Sequence, residues 1–217
     1  MRVKYIQSGF AGTKDRVRQS LQILDPHGAQ LRHRNRLRRR LYQNSDSCQL
    51  TLDPNTANRD LSLSEGNRKV TRGGEEQPYP DHPERFDHWP QVLCRESLTG
   101  RCYWEAEWDG DGADIGVTYK GIRRKGWSEC LLGNNEKSWS LRCKPDSYSV
   151  CHNKKQTLLP IRPSGSHRVG VYLDWGAGAL SFYRVSSDGL TPLYRFTSSF
   201  TESLYPGFHV YNSSVLL

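Results

Sequence analysis

From Cys48 onward, apolar and polar residues alternate in short runs separated by residues that tolerate tight turns, which is the pattern of half-buried strands. In Arg101–Trp108 (RCYWEAEW), Trp104, Ala106 and Trp108 share one face, while Tyr103, Glu105 and Glu107 share the other. Period two with the aromatics on one side predicts a strand with that side against a core. Further strands are expected at Asp114–Tyr119, Ser138–Cys143, Tyr148–His152, Arg168–Asp174, Ala179–Val185, Leu193–Phe196 and Gly207–Tyr211. Between them Asp109–Gly112, Lys144–Ser147 and Trp175–Gly178 carry turn chemistry. No amphipathic stretch after residue 48 exceeds about two helical turns. The pattern predicts an all-β domain, a two-layer antiparallel β-sandwich of about a dozen strands.

Residues 1–47 break this pattern. Leu31–Tyr42 (LRHRNRLRRRLY) holds six arginines in twelve positions, with Leu31, Leu37 and Leu41 at loosely helical spacing. It reads as an extra N-terminal basic segment, a linker or short helical or disordered stretch ahead of a domain spanning 48–217. A nuclear-localisation or RNA-contacting run is the sharper reading, but a run that reads bases needs interleaved aromatics, and only Tyr42 is near.

Charge sharpens this division. The chain of 217 residues has a net charge of +8, and residues 1–47, with 11 Lys/Arg against 3 Asp/Glu, carry all of it. Residues 48–217 balance to zero, so the body has no overall field that would draw it to phosphate, and nucleic acid is not expected as its partner. No run reaches the roughly 18 apolar residues of a membrane span. The N-terminus lacks the apolar centre of a secretory signal, so a cytoplasmic location is expected. The six cysteines (Cys48, Cys94, Cys102, Cys130, Cys143, Cys151) form no CxxC pair and are expected as buried free thiols rather than zinc ligands.

Several segments together resemble the PRY–SPRY (B30.2) family. They are Leu52-Asp53-Pro54 with Thr56-Ala57-Asn58 and Leu61–Ser64; Tyr79-Pro80 through Glu84-Arg85-Phe86; Gly100–Ala106 (GRCYWEA); Leu173–Gly178 followed by Ser181-Phe182-Tyr183; and Leu204–Phe208. Each is weak alone, yet five in order along the chain are specific. Ala106 stands where the family has Val, and Trp175-Gly176 where it has Tyr-Glu. The wording of residues 50–71 is similar to C-terminal domains of fish NOD-like receptors, tripartite-motif proteins and stonefish-type pore-forming toxins. The resemblance implies a jelly-roll, concanavalin-like sandwich, with PRY at about 48–97 and SPRY at about 98–217.

The resemblance also implies a function: a non-enzymatic protein–protein recognition module of an innate-immune or ubiquitin-ligase-type protein, binding another protein or peptide without a cofactor. In relatives of this fold, outward residues matching Arg142, Lys144 and the Phe208-His209 segment line the ligand groove. The adjoining loops carry Trp127, Asn134, Asn135 and Tyr148, and aromatics with Arg dominate interface energy. The alternatives are a lectin-like, carbohydrate-binding or glycan-hydrolysing jelly roll, or the terminal domain of a fish pore-forming toxin.

Catalytic and metal chemistry find little footing. There is no GxSxG elbow, and Cys151 and His152, adjacent on a strand, face opposite sides. Glu105 and Glu107 share a strand face and are expected as a solvated or salt-bridged rim. Asp109–Asp114 (DGDGAD) resembles the start of a calcium loop, but Lys120 stands where the bidentate Glu belongs, so a turn between strands is expected.

Overall fold

The computed structural model of the chain describes residues 26–45 and 48–217; the first part of the basic segment, residues 1–25, lies outside them. Among the described residues one α-helix, α1 (Pro26–Gln43), precedes thirteen strands: β1 (Leu61–Ser64), β2 (Lys69–Arg72), β3 (Gln91–Leu93), β4 (Arg101–Trp108), β5 (Ala113–Tyr119), β6 (Ser138–Cys143), β7 (Tyr148–His152), β8 (Lys155–Leu158), β9 (Arg168–Asp174), β10 (Ala179–Ser186), β11 (Gly189–Thr197), β12 (Leu204–Val210) and β13 (Ser214–Leu216). They form a seven-stranded sheet, β1-β2-β13-β4-β9-β10-β11, and a six-stranded sheet, β3-β12-β5-β6-β7-β8, with antiparallel neighbours throughout. The architecture is the two-layer antiparallel β-sandwich that the alternation predicts.

The core lies between the sheets. Trp104, Ala106 and Trp108 of β4 and Val169, Val171 and Leu173 of β9 meet Ile115, Val117, Trp139, Leu141 and Phe208 from the opposite layer. Because side chains alternate along a strand, the residues between these must face outward, and that parity builds two outer surfaces. The irregular segment between β2 and β3 is anchored by Arg85, whose guanidinium donates to the carbonyls of Pro54, Ala57 and Pro80, and by the buried ring of Phe86.

Helix α1 lies on the outer surface of the seven-stranded sheet. Its Leu41 is buried with Tyr103, Val185 and Leu190, and Leu37 packs beside them. Burying a leucine this way contributes about 1.5–3 kcal/mol. Arg38 clamps Glu105 with two hydrogen bonds, Nε to Oε1 at 2.8 Å and Nη2 to Oε2 at 2.7 Å, and Tyr103 donates to the same carboxylate at 2.7 Å. Arg168 pairs with both Glu105 and Glu107. Glu105 is thus held in ion pairs beneath α1, its side chain only 11 % exposed, and Glu107 is paired with Arg168 at the more open edge beside it.

The cysteines need one correction. Cys48 and Cys102 form a disulfide with Cα atoms 5.9 Å apart, so they are not free thiols; Cys94, Cys130, Cys143 and Cys151 are buried and free. Cys102 lies inward on β4 and Cys48 enters the domain beside it, a pairing set by the fold that a separation of 54 positions hides from the sequence. The Asp109–Gly112 stretch is a turn between β4 and β5. Gly110 and Gly112 take positive φ there, and the Asp109 carboxylate accepts hydrogen bonds from the backbone and hydroxyl of Ser214.

Candidate recognition face

On β5, Ala113, Ile115 and Val117 point into the core, so Asp114, Gly116 and Thr118 face outward from the six-stranded sheet. Register carries this row across the sheet: Gln91 on β3 opposes His209 on β12, His209 opposes Asp114, Asp114 opposes Arg142 on β6, and Arg142 opposes Ser149 on β7. Ser149 in turn opposes Leu158 on β8. Five strands thus set a polar line beneath one surface.

Asp114 is its centre. It is fully buried, and Arg142 grips it from the side, Nε to Oδ1 and Nη2 to Oδ2, both at 3.0 Å. The Tyr211 hydroxyl donates to Oδ1 at 3.1 Å, and His209 Nδ1 lies 3.6 Å from Oδ2, just beyond hydrogen-bond reach. Burial pushes the Asp114 carboxyl up, but the facing His209 and the Arg142 guanidinium outweigh it and hold the carboxyl below its ordinary range. Burial opposes the charge on Arg142, and Asp114 more than restores it. The Tyr211 hydroxyl is raised by burial first and by the Asp114 charge second.

Around this centre the remaining groups are ordered in turn. Arg142 Nη1 donates to Gln156 at 3.2 Å, and Gln156 donates to Ser149 at 3.0 Å. Lys144 places its ammonium 4.3 Å from the centre of the Tyr211 ring. On the opposite flank His209 meets Trp89 edge-on, Trp89 donates its indole N–H to the carbonyl of Trp127 at 2.8 Å, and His88 packs on the Trp127 ring at 4.2 Å. Two large apolar side chains stand free at the ends of this surface, Trp127 and Leu158, each 70 % exposed. The result is a rigid, charge-neutralised platform flanked by two apolar anchors.

The structure sorts the residues expected from sequence into three groups. Arg142, Lys144 and His209 come together, and Trp127 joins them through Trp89. Asn134 and Asn135 lie elsewhere: both line a separate depression of about 320 Å³ with Asn153 and Lys154, and Asn135 spends its amide on the carbonyls of Glu129 and Leu131. Tyr148 and Phe208 are corrections. Tyr148 opposes Cys143 and Phe208 opposes Ile115, both on the inward parity, and both are enclosed in the core where no partner reaches them. Sequence reasoning missed Asp114, Trp89, His88, Tyr211, Gln156 and Leu158. Only Asp114 left a trace, as a carboxylate on the opposite parity to Ile115 and Val117.

An antiparallel sandwich presenting ordered polar and aromatic groups from one sheet and its loops is the form of a recognition domain. Residues 50–98 match the PRY family, the SPRY-associated domain, and residues 101–216 match the SPRY domain; the chain belongs to this PRY–SPRY (B30.2) family. It is 48% identical over 163 residues to stonustoxin subunit beta of Synanceia horrida, covering 74% of this chain and 23% of that protein. It is 42% identical over 166 residues to tripartite motif-containing protein 16 of Mus musculus, covering 75% of this chain and 29% of that protein. Among solved structures, the TRIM65 PSpry domain superposes with a TM-score of 0.75 at 31% identity, over 83% of this chain and 94% of that one. The chain spans about a quarter of the length of the curated relatives it matches.

Proposed function

We propose that the chain is a non-enzymatic recognition module that binds a protein or peptide on the outer face of the six-stranded sheet. The observation that carries this reading is the pairing of a pre-ordered Asp114–Arg142 centre with exposed Trp127 and Leu158 at its ends. A partner covering them would gain apolar burial without first having to order the polar groups between them, which lowers the cost of binding. A tripartite-motif-type parent with an innate-immune or ubiquitin-ligase role, acting in the cytoplasm, follows from the same reading. The test is capture of a polypeptide partner by the full chain, its identification by mass spectrometry, and titration of the purified pair. Trp127→Ala/Leu158→Ala should weaken that titration by about a hundredfold or more, since each anchor of this kind is worth about 1–2 kcal/mol or above. Unchanged affinity would remove this face from the interaction.

A second reading has its own support. The Cys48–Cys102 disulfide suits an oxidising compartment, and the similarity to a stonustoxin subunit is high, so the chain as the terminal domain of a secreted cytolytic protein is the alternative parent. Thiol trapping of the protein in its native cells separates the two. A reduced Cys48–Cys102 pair favours the cytoplasmic parent and an oxidised one the secreted parent.

A further inference from the structure

The docking of α1 divides its arginines into two sets. Arg38 faces the sheet and is spent on Glu105. Arg36, Arg39 and Arg40 fall on the opposite strip, exposed, and among the described residues none of them joins an ion pair. Since residues 48–217 balance to zero net charge, the rest of the body does not cancel the field of this strip. We propose that the outward strip of α1 is a peripheral docking surface for an anionic phospholipid bilayer, independent of the recognition face on the other sheet.

Charge complementarity selects an anion, and the seating of the helix selects a flat one. Gly189 brings β11 so close to α1 that a Cβ there would stand 2.8 Å from the backbone of Arg34, and Leu37 and Leu41 fill the other side of the seam. Over residues 34–43 the accessible strip is therefore the one facing away from the sheet. No aromatic lies among Arg36–Arg40 to stack on a base, and Tyr42 beyond them, though 52 % exposed, has its ring packed edge-on against Tyr103 at 4.7 Å. A bilayer surface makes no such demand. Arg36, Arg39 and Arg40 present no apolar side chain to insert, so their attachment is electrostatic, reversible and screened by salt.

The test is co-sedimentation of the full chain with vesicles of phosphatidylcholine, with and without phosphatidylserine. Retention is expected only with phosphatidylserine and should be lost at high salt. Replacing Arg36, Arg39 and Arg40 together by Gln should weaken it by about a hundredfold, the effect of three basic residues near such a surface. Because these side chains are exposed, the thermal melt should stay in place. A control carrying Lys14→Gln, Arg16→Gln and Arg18→Gln loses the same charge upstream and should keep most of the retention. Equal loss in that control, equal binding to pure phosphatidylcholine, or displacement of the chain from vesicles by duplex RNA would each overturn the proposal.

Discussion

The two outer faces of the sandwich use the same chemistry to opposite ends. On the seven-stranded sheet a carboxylate, Glu105, is gripped by an arginine from α1, and the helix covers the surface around it. On the six-stranded sheet a carboxylate, Asp114, is gripped by an arginine of the adjacent strand, and the surface around it stays open, with Trp127 and Leu158 in solvent. An arginine arriving from a separate element staples that element down. An arginine within the sheet fixes the sheet's own surface and leaves room for a visitor. The contrast teaches that an ordered ion pair on a strand face does not by itself mark a binding site; what lies over it decides.

The contrast can be broken at its strongest point first. Asp114→Ala leaves Arg142 largely enclosed without its partner, and the expected loss of stability is about 3–5 kcal/mol by urea denaturation. The pH dependence follows from the direction of the shift. The Asp114 carboxyl titrates lower in the folded chain than unfolded, so its contribution is complete above the unfolded value of about 4 and disappears as pH falls through the folded value. The stability gap between the wild type and Asp114→Asn should therefore be flat near neutrality and close in acid. A gap that widened in acid would contradict the assignment.

Next in size is the disulfide that ties the entrance of the domain to β4. Cys48→Ser should cost about 2–4 kcal/mol, read as the difference in denaturation midpoint under non-reducing conditions, and reductant should erase that difference. Leu41→Ala empties the seam under α1 and should cost about 2–3 kcal/mol while leaving the recognition face untouched. Amide exchange should then rise along α1 and remain slow in β5 and β6. The smallest effect on stability belongs to Trp127→Ala, within about 0.5 kcal/mol, because its ring is largely in water already. A large destabilisation there would show that Trp127 is structural and would weaken the case for an anchor.

What the sequence disclosed follows strand length and burial. β4, β6, β7 and β9 were legible because aromatic or β-branched residues alternate with polar ones over five residues or more. β1, β2, β3 and β13 are three or four residues long and too short to display a period, and the four residues of β8 are all exposed, so no apolar side marks them. The same limits apply to the site. Parity placed Arg142 and Lys144 outward, and His209 falls on that same outer row. Tyr148 heads the expected strand 148–152, and its place at the junction with a loop hides that it takes the inward parity opposite Cys143. Phe208 was paired with its outward neighbour His209, although adjacent strand residues cannot share a face. Trp89 escaped notice because it lies about 120 positions from His209, and only the neighbouring places of β3 and β12 in the sheet join them. The helix spacing of Leu37 and Leu41 was visible in the sequence, but the surface that receives them was not.

The most direct test of the account is hydrogen exchange of the full chain with and without its identified protein partner. Protection should appear over 88–91, 127, 142–158 and 209–211, with α1 and the seven-stranded sheet unchanged. Protection confined to α1 and the seven-stranded sheet, with the Asp114–Arg142 face exchanging as in the free chain, would contradict it.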